Sequence, residues 1–524
     1  MKKIFFVFCF ILFSVHFSFS QNADSVAVRF SKIITAEDAR KHLTILASDE
    51  YEGRETGKEG QKKAARYIAA DFKKIGLKAA TDSTYLQKFP LTLSMPMEPI
   101  LKIGNKEFKD LNDFYVFPFG KDRMVTADKI IFLGYGIEDD KYNDYANVDV
   151  TDKVIMVLGG EPINSDSVSF ITGKKDFSDW TNNYRKKSEL AISKGALALV
   201  VINANFESNV QYLKNFLETP SLKLNSSEVG KKRIPQVGIS INTANEILAL
   251  SRSEMNVEEI RKKIRTTKKT FSLEIKSSFD LILKTKEDAV TSENVLGMIR
   301  GSEFPEEYVF VTAHYDHLGM HDGKIFNGAD DDGSGTTGVL EIANAFEKAK
   351  EAGFTPKRSI VFMTVAGEEK GLLGSSYYTS HPVFSIEKTV CDLNIDMIGR
   401  GDEEHKNDSN FVYIIGSDKI STDLHKINEK ANATYTKLKL DYKYNDPQDP
   451  NRFYYRSDHY NFAEKGVPII FYFNGVHEDY HQETDEVQKI NFPLLVKRAR
   501  LVFFTAWEVA NRKDRIVSDV KQDK

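Results

Sequence analysis

Residues 308–335 read YVFVTAHYDHLGMHDGKIFNGADDDGSG, residues 359–375 read SIVFMTVAGEEKGLLGS, and residues 391–400 read CDLNIDMIGR. Each stretch opens on a short apolar run (308–313, 359–365, 391–395) rich in Val, Ile and Phe. Runs of this length and composition predict strands buried on both faces of a mostly parallel sheet. Each run ends in histidine or acid, and in open α/β sheets ligands bind at the carboxyl ends of the strands. His314, Asp316, Asp331, Glu368, Glu369 and Asp396 are therefore expected at one rim. Six metal-type or acid–base side chains converging there imply a metal-assisted hydrolase.

The rest of the chain supports a multidomain α/β protein. At 524 residues it is long enough for two or three domains. The net charge of −4 gives no reason to expect nucleic acid or an anionic membrane surface as partner. Lys2 and Lys3 precede an apolar run from Ile4 to Phe19, with Ser18-Phe19-Ser20 before Gln21. Residues 1–20 are therefore expected to be a secretory signal peptide, and the protein to be exported, to the periplasm or beyond. The run is short and broken by Ser14, His16 and Ser18, and Gln21 is not a cysteine, so neither a spanning nor a lipid anchor is expected after cleavage. Cys9 would leave with the signal. Cys391 lies in an apolar strand and reads as a core residue.

From 293 onward strand and helix alternate, with helices expected at 336–352, 371–379, 418–432 and 492–511 and a strand at 467–473. Helices are also expected at 36–49 and at 61–75, the second stopped by Gly76, with the polar loop YEGRETGKEG between them. Between these parts the texture changes. Strand-like runs at 129–133, 153–158, 196–202 and 234–241 carry no metal-type cluster, and a charged helix at 253–268 and a strand at 271–275 close the module. This predicts an α+β insertion, 97–278, into a catalytic domain made of 21–96 and 279–512, with a charged tail at 513–524.

Three motifs sharpen the chemistry. Adjacent residues at a strand end point in opposite directions, so one carboxylate of Glu368-Glu369 can bind a metal while the other stays free as a proton carrier. Residues i and i+2 of an extended chain share a face, so Asp316 can hold the second ring nitrogen of His314 or a neighbouring ligand. Asp330-Asp331-Asp332 crowds three carboxylates that need a cation to offset their repulsion. The spacing of this last run mimics a calcium EF-hand, but HDGKIFNGA enters it and is no helix. Residues 477–481 spell H-E-x-x-H, yet no amphipathic helix carries them; His481 reads better as a lone ligand on a loop. His317 and His321 are expected to face an open loop. There is no G-x-S-x-G elbow and no P-loop.

TAHYDHLG, NGADDDGSG, GEEKGLLGS, NIDMIG, SDHYNFAEKGVP and DYHQETD, in that order, resemble the M28 family of co-catalytic zinc aminopeptidases. ASDEYEGRETGKEGQKKAARYIA resembles the opening of its catalytic domain, and FLGYGI, DYANVDVTDKVIMVL and AISKGALALVVIN resemble a protease-associated domain. The resemblance implies a mixed, mostly parallel sheet sandwiched by helices, a phosphorylase/hydrolase-like zinc exopeptidase core with an inserted α+β protease-associated domain. It implies two zinc ions per chain, held by His314, Asp396, Glu369 and His481 and bridged by Asp331, with a cis peptide after Asp331. Glu368 would be the general base acting on a zinc-bridging water, Asp316 would support the ligands, and Tyr480 would hydrogen-bond the oxyanion or support the pocket wall. The expected substrates are peptides, cut at the amino terminus. Three rivals stay open: a carboxypeptidase or dipeptidase, for which Arg452 and Arg456 could capture a free carboxylate; a glutaminyl cyclase; and a non-catalytic peptide-binding relative. Side-chain preference and oligomeric state are not readable.

Overall fold

A computed structural model describes residues 23–81, 84–225, 233–251 and 255–520. The expected signal peptide and the last four residues of the tail lie outside the described residues. The chain forms two compact units: one made of the residues up to Phe89 and from Thr291 onward, the other of Pro90–Val290.

In the first unit, a short helix (Ser25–Ser31) is followed by helices α1 (Ala36–Leu46) and α2 (Glu59–Ile75). Thr35 caps α1 by accepting from the Asp38 N–H at 3.1 Å, and α2 stops at Gly76, whose φ of 96° is left-handed. The later strands are β1 (Thr285–Ile299), of which 291–299 belong to this unit, β2 (Phe304–His314), β3 (Arg358–Val365), β4 (Thr389–Ile395), β5 (Phe411–Ile415), β6 (Lys439–Asp441) and β7 (Ile469–Phe473). They lie in the order β1-β3-β2-β4-β7-β5-β6. The central four, β3-β2-β4-β7, are mutually parallel; β1 joins β3 and β5 joins β7 antiparallel, and β6 runs parallel to β5. This is the mixed, mostly parallel sheet expected from the apolar runs.

Both faces of that sheet are covered, which is why apolar residues dominate both faces of its strands. Helix α3 (Gly335–Glu351) and the long α7 (Phe492–Asn511) cover one face: Phe346 of α3 meets Phe362 of β3 and Phe503 of α7, with ring centroids 6.1 and 4.7 Å apart. The other face carries α4 (Leu373–Ser380) and the short α6 (His459–Ala463); Phe310 of β2 packs on Tyr378 and Phe462, both at 5.5 Å. Cys391 is fully buried in β4, and burial raises its thiol well above the usual range. α5 (Thr422–Ala431) completes the helices named here.

The second unit holds a six-stranded sheet whose four central strands (Ile130–Leu133, Val154–Leu158, Ala198–Ile202, Gln236–Ile239) are parallel. It also holds a four-stranded antiparallel sheet (Lys106–Phe108, Ile100–Ile103, Phe279–Leu283, Arg123–Ala127). Phe206–Glu218 and Val257–Thr267 are among its helices, the latter with a full capping box built on Asn256 and Glu259. No helix of the described residues is long and apolar enough to cross a membrane.

Candidate metal centre

The register of the four parallel strands brings the acidic and histidine residues together. His314 ends β2 level with Val365 at the end of β3. Asp396 follows the last residue of β4, and the loop after β7 carries His481. Asp331 arrives from the loop between β2 and α3, where the Asp331–Asp332 peptide bond is cis, as the family resemblance implies. Gly335 opens α3 because nothing larger fits: a Cβ there would meet the Asp332 carboxylate at 2.4 Å and the Ile395 carbonyl oxygen at 2.6 Å.

Two donor groups share Asp331: His314, Asp331 and Asp396 form one, and His317, Asp331 and Glu369 the other. In the first, His314 Nε2 lies 3.2 Å from Asp331 Oδ1 and 3.7 Å from Asp396 Oδ1. Beside the second, His481 Nε2 is 3.2 Å from both Asp331 Oδ2 and Glu369 Oε2. Glu368 Oε2 stands 3.9 Å from His314 Nε2, on the first side. The two carboxylates of the Glu368-Glu369 pair therefore face different groups, as their adjacency predicts.

Partners around these groups fix their orientation. His314 Nδ1 donates to the Asp316 backbone carbonyl at 3.1 Å, leaving Nε2 as the lone pair aimed at the acids. The Asp316 carboxylate is farther from that nitrogen, at 3.8 Å, and instead accepts from Thr56 Oγ1 (2.6 Å) and from the Glu368 N–H (3.2 Å). Ser457 donates to Asp396 Oδ2 at 2.7 Å. Asp485 accepts the Asp330 and Asp331 N–H groups at 2.9 and 3.1 Å. Asp330 itself accepts from Gly399 N at 2.6 Å and pairs with His477 Nε2 at 3.2 Å. His477 and His481 thus serve different partners, and residues 474–485 form no helix.

The largest feature hidden in the sequence is Arg54. The loop YEGRETGKEG is polar, yet Arg54 is fully buried. Its guanidinium donates to the carbonyls of Tyr315 (2.7 Å), Leu46 (2.8 Å), Asn327 (2.6 Å) and Gly328 (2.8 Å). It ties the ligand-bearing loops after β2 to α1. Burial lowers its pKa, and the nearby Asp316, Asp331, Asp485 and Asp332 partly restore it.

His317 requires a correction. It does not face an open loop: it is fully buried, with Nδ1 2.8 Å from Glu369 Oε1 and 3.9 Å from Asp331 Oδ2. β2 ends at His314, and His317 itself bridges Glu55, with its side chain turned inward. His321 does remain exposed. Tyr480 and Arg456 line one pocket with His314, Asp331, Glu368 and Asp396, walled by Met397, Phe453, Phe471, Phe473 and Val476. Arg456 donates to the Tyr480 hydroxyl at 3.1 Å, and the Tyr480 ring stacks on His481. Arg452 is exposed, beside Tyr455.

The charge balance fits cations. Burial raises the Glu368 carboxyl well above its usual range, with Glu369 and Asp396 adding to the rise and His314 opposing it. Burial alone would lower His481, but Asp331 and Glu369 outweigh it and push the imidazole up to about 10. Burial alone would raise Asp331, yet the surrounding histidines hold it well below the carboxylate range. Among the described residues, His317 Nδ1 and Nε2 and Glu369 Oε1 are buried without a hydrogen-bond partner. Imidazole and carboxylate donors in two groups joined by one carboxylate suit zinc.

Fold and site together define an α/β protein with a paired histidine–carboxylate metal centre at the carboxyl ends of parallel strands. The profile of Peptidase family M28 matches residues 294–506. A probable zinc metalloprotease of Pyrenophora teres f. teres is 26% identical over 288 residues, 48% of this chain and 58% of that protein. Aminopeptidase YwaD of Bacillus subtilis is 25% identical over 349 residues, 65% of this chain and 63% of that protein. The chain thus spans about three fifths of the length of these relatives. The solved aminopeptidase from Aneurinibacillus sp. strain AM-1 has the same fold, with a TM-score of 0.54 at 19% identity, covering 94% of this chain and 98% of that one.

Proposed function

We propose that the protein is an exported zinc-dependent aminopeptidase that removes amino-terminal residues from peptides. The observation that carries this reading is the pair of donor groups sharing Asp331. His314 and Asp396 would hold one ion, Glu369 and His481 the other, with Asp331 between them. When bound, the two ions would polarise the scissile carbonyl and make water acidic enough to ionise near neutrality. Glu368 accepts the proton of the attacking water and delivers it to the leaving amine. Asp316, by accepting the Glu368 N–H, keeps that carboxylate's backbone in place. Tyr480, its hydroxyl steadied by Arg456, donates to the oxygen that becomes negative in the tetrahedral state. The apolar wall of Met397, Phe453, Phe471, Phe473 and Val476 would receive an apolar side chain of the substrate. Export rests on residues 1–20. We assign the unit Pro90–Val290 as a protease-associated domain inserted between the two parts of the catalytic unit.

One observation favours a second reading. Arg456 lines the same pocket, where a guanidinium suits a free carboxylate, as a carboxypeptidase needs. The two are separated by hydrolysis of free-amine and amino-blocked peptides, with and without chelator. Cleavage of free-amine substrates only, lost with chelator and restored by zinc, is the aminopeptidase outcome. Cleavage of blocked peptides with a free carboxylate gives the site to the second reading, and no cleavage of either sinks both.

A further inference from the structure

We infer that His317 is a fourth protein ligand of the second metal ion, alongside Asp331, Glu369 and His481, through its Nδ1. The inference rests on the two-ion reading above and goes beyond the ligand set that the family resemblance implies.

Four observations carry it. The imidazole is fully buried, and among the described residues neither ring nitrogen has a hydrogen-bond partner. A buried polar ring without partners is costly, so such a group calls for one. Nδ1 approaches Glu369 Oε1 to 2.8 Å, yet the two atoms are not aligned as an N–H···O bond, and Oε1 also lacks a partner. A buried nitrogen and oxygen this close, neither with a hydrogen-bond partner, can both donate to one ion. Their distances to the rest of the group agree. Nδ1 lies 3.9 Å from Asp331 Oδ2, and His481 Nε2 lies 3.2 Å from that atom. Tetrahedral ligands at zinc's usual bond lengths of about 2.0–2.2 Å stand about 3.3–3.6 Å apart, between these two distances, and the Nδ1–Glu369 Oε1 separation of 2.8 Å is shorter.

The ring is also held there. The His317 N–H donates to the Arg54 carbonyl at 3.3 Å, while the Arg54 guanidinium holds the carbonyls of Tyr315 and Gly328. Gly328, at φ 54°, leaves the space that the imidazole fills; a Cβ there would lie 2.5 Å from the ring. The rings of His317 and His481 meet edge to face, with centroids 5.9 Å apart, so both can present a nitrogen to a common point. The consequence is an uneven pair. The first ion has three protein ligands, His314, Asp331 and Asp396, and keeps open positions for substrate and water. The second has four, His317, Asp331, Glu369 and His481. The second ion is then the tighter bound of the two.

The test is metal binding rather than turnover. Zinc is titrated into the metal-free full-length protein, the parent and His317→Ala compared, with circular dichroism and thermal melting to verify folding. Two ions per chain in the parent, with His317→Ala weakening one of them by at least tenfold and leaving the other unchanged, is the expected result. Two ions bound equally well by both proteins would overturn the inference and leave the two-ion reading intact; a single ion in the parent would overturn both. Should His317→Ala fold poorly, His317→Cys serves. Nδ1 is the ring nitrogen nearer the backbone, so a cysteine sulfur occupies nearly its place. Its cobalt-loaded form gains a thiolate-to-cobalt charge-transfer band if position 317 is a ligand. A cobalt spectrum without that band counts against ligation and leaves His317 a purely packing residue.

Discussion

The two units of this chain are built on the same plan and use it differently. Each has four parallel strands at its centre, mostly apolar in sequence. In the catalytic unit the residues past the strand ends are His314, Asp316, Glu368, Glu369 and Asp396, and they face one another. In the second unit the corresponding positions hold Gly134, Gly159, Gly160, Asn203 and Ser240, and among its described residues no three metal-type donors converge. Buried charges occur there too, but they hold backbone. Asp144 accepts the N–H groups of Tyr135 and Ile137 at 2.9 and 3.2 Å, and Lys187 donates to the carbonyls of Gly160 and Leu158 at 2.6 and 3.2 Å. A buried ionisable group spent on its own backbone is architecture. One that faces other such groups with an atom left over is a site. The sheet itself distinguishes neither.

That contrast can be broken by substitution. Glu368→Gln should lower kcat by about 10²–10⁴-fold with metal content unchanged, because the proton carrier goes and the ligands stay; steady-state kinetics beside metal analysis checks it, and a fully active variant would remove Glu368 from the chemistry. Arg54→Met should destabilise the catalytic unit by about 3–5 kcal/mol, since four buried carbonyls and a cluster of acids lose their common donor; urea unfolding reads this directly. Glu341 sharpens the comparison, because it is buried in the catalytic unit yet belongs to the architectural class. Its carboxyl accepts from the Thr35 N–H at 3.0 Å, and burial pushes its pKa up to about 8. Its proton affinity is higher folded than unfolded, so its contribution is fully present below about pH 4.5 and is lost as pH rises toward 8. Glu341→Gln should therefore stabilise the protein by on the order of 2 kcal/mol at pH 8 and by little at pH 5, measured as two denaturation curves. The smallest effect is expected in the second unit: Lys187→Met should cost about 1–3 kcal/mol of that unit's stability and leave hydrolysis of a dipeptide substrate as in the parent.

Much of the first unit is legible in the sequence because its strands are buried on both sides. YVFVTA, SIVFMTV and CDLNI are mostly apolar and wholly buried, and each stops where chemistry begins. The carboxylate pair is legible for the same reason, since adjacency alone sends two side chains to two sides. His317 is not, because period-two reasoning holds only while the chain is extended, and the extension ends at His314. The signal that could find it is Gly328, eleven residues on, a glycine that exists to make room. Arg54 is illegible from its own neighbourhood: a buried guanidinium needs carbonyls from Leu46, Tyr315, Asn327 and Gly328, and three of these lie more than 250 positions away. Phe411–Ile415 forms a strand that the expectations above omit, although FVYII is apolar throughout. The four-stranded sheet of the second unit is built of strands three to five residues long, too short for their alternation to stand out.

The span between Arg54 and its carbonyls also sets an order in time. Asn327 and Gly328 follow Arg54 by 273 and 274 residues. At ordinary rates of synthesis, about 5–20 residues per second, the guanidinium leaves the ribosome roughly a quarter of a minute to a minute before the groups that will bury it. Until then the amino-terminal helices have no closing contact of this kind, and a whole second unit can fold in the interval. The acids of the metal centre emerge in the same few seconds as those carbonyls. Arg54 is thus a latch placed early in the chain that can shut only once the residues it positions exist.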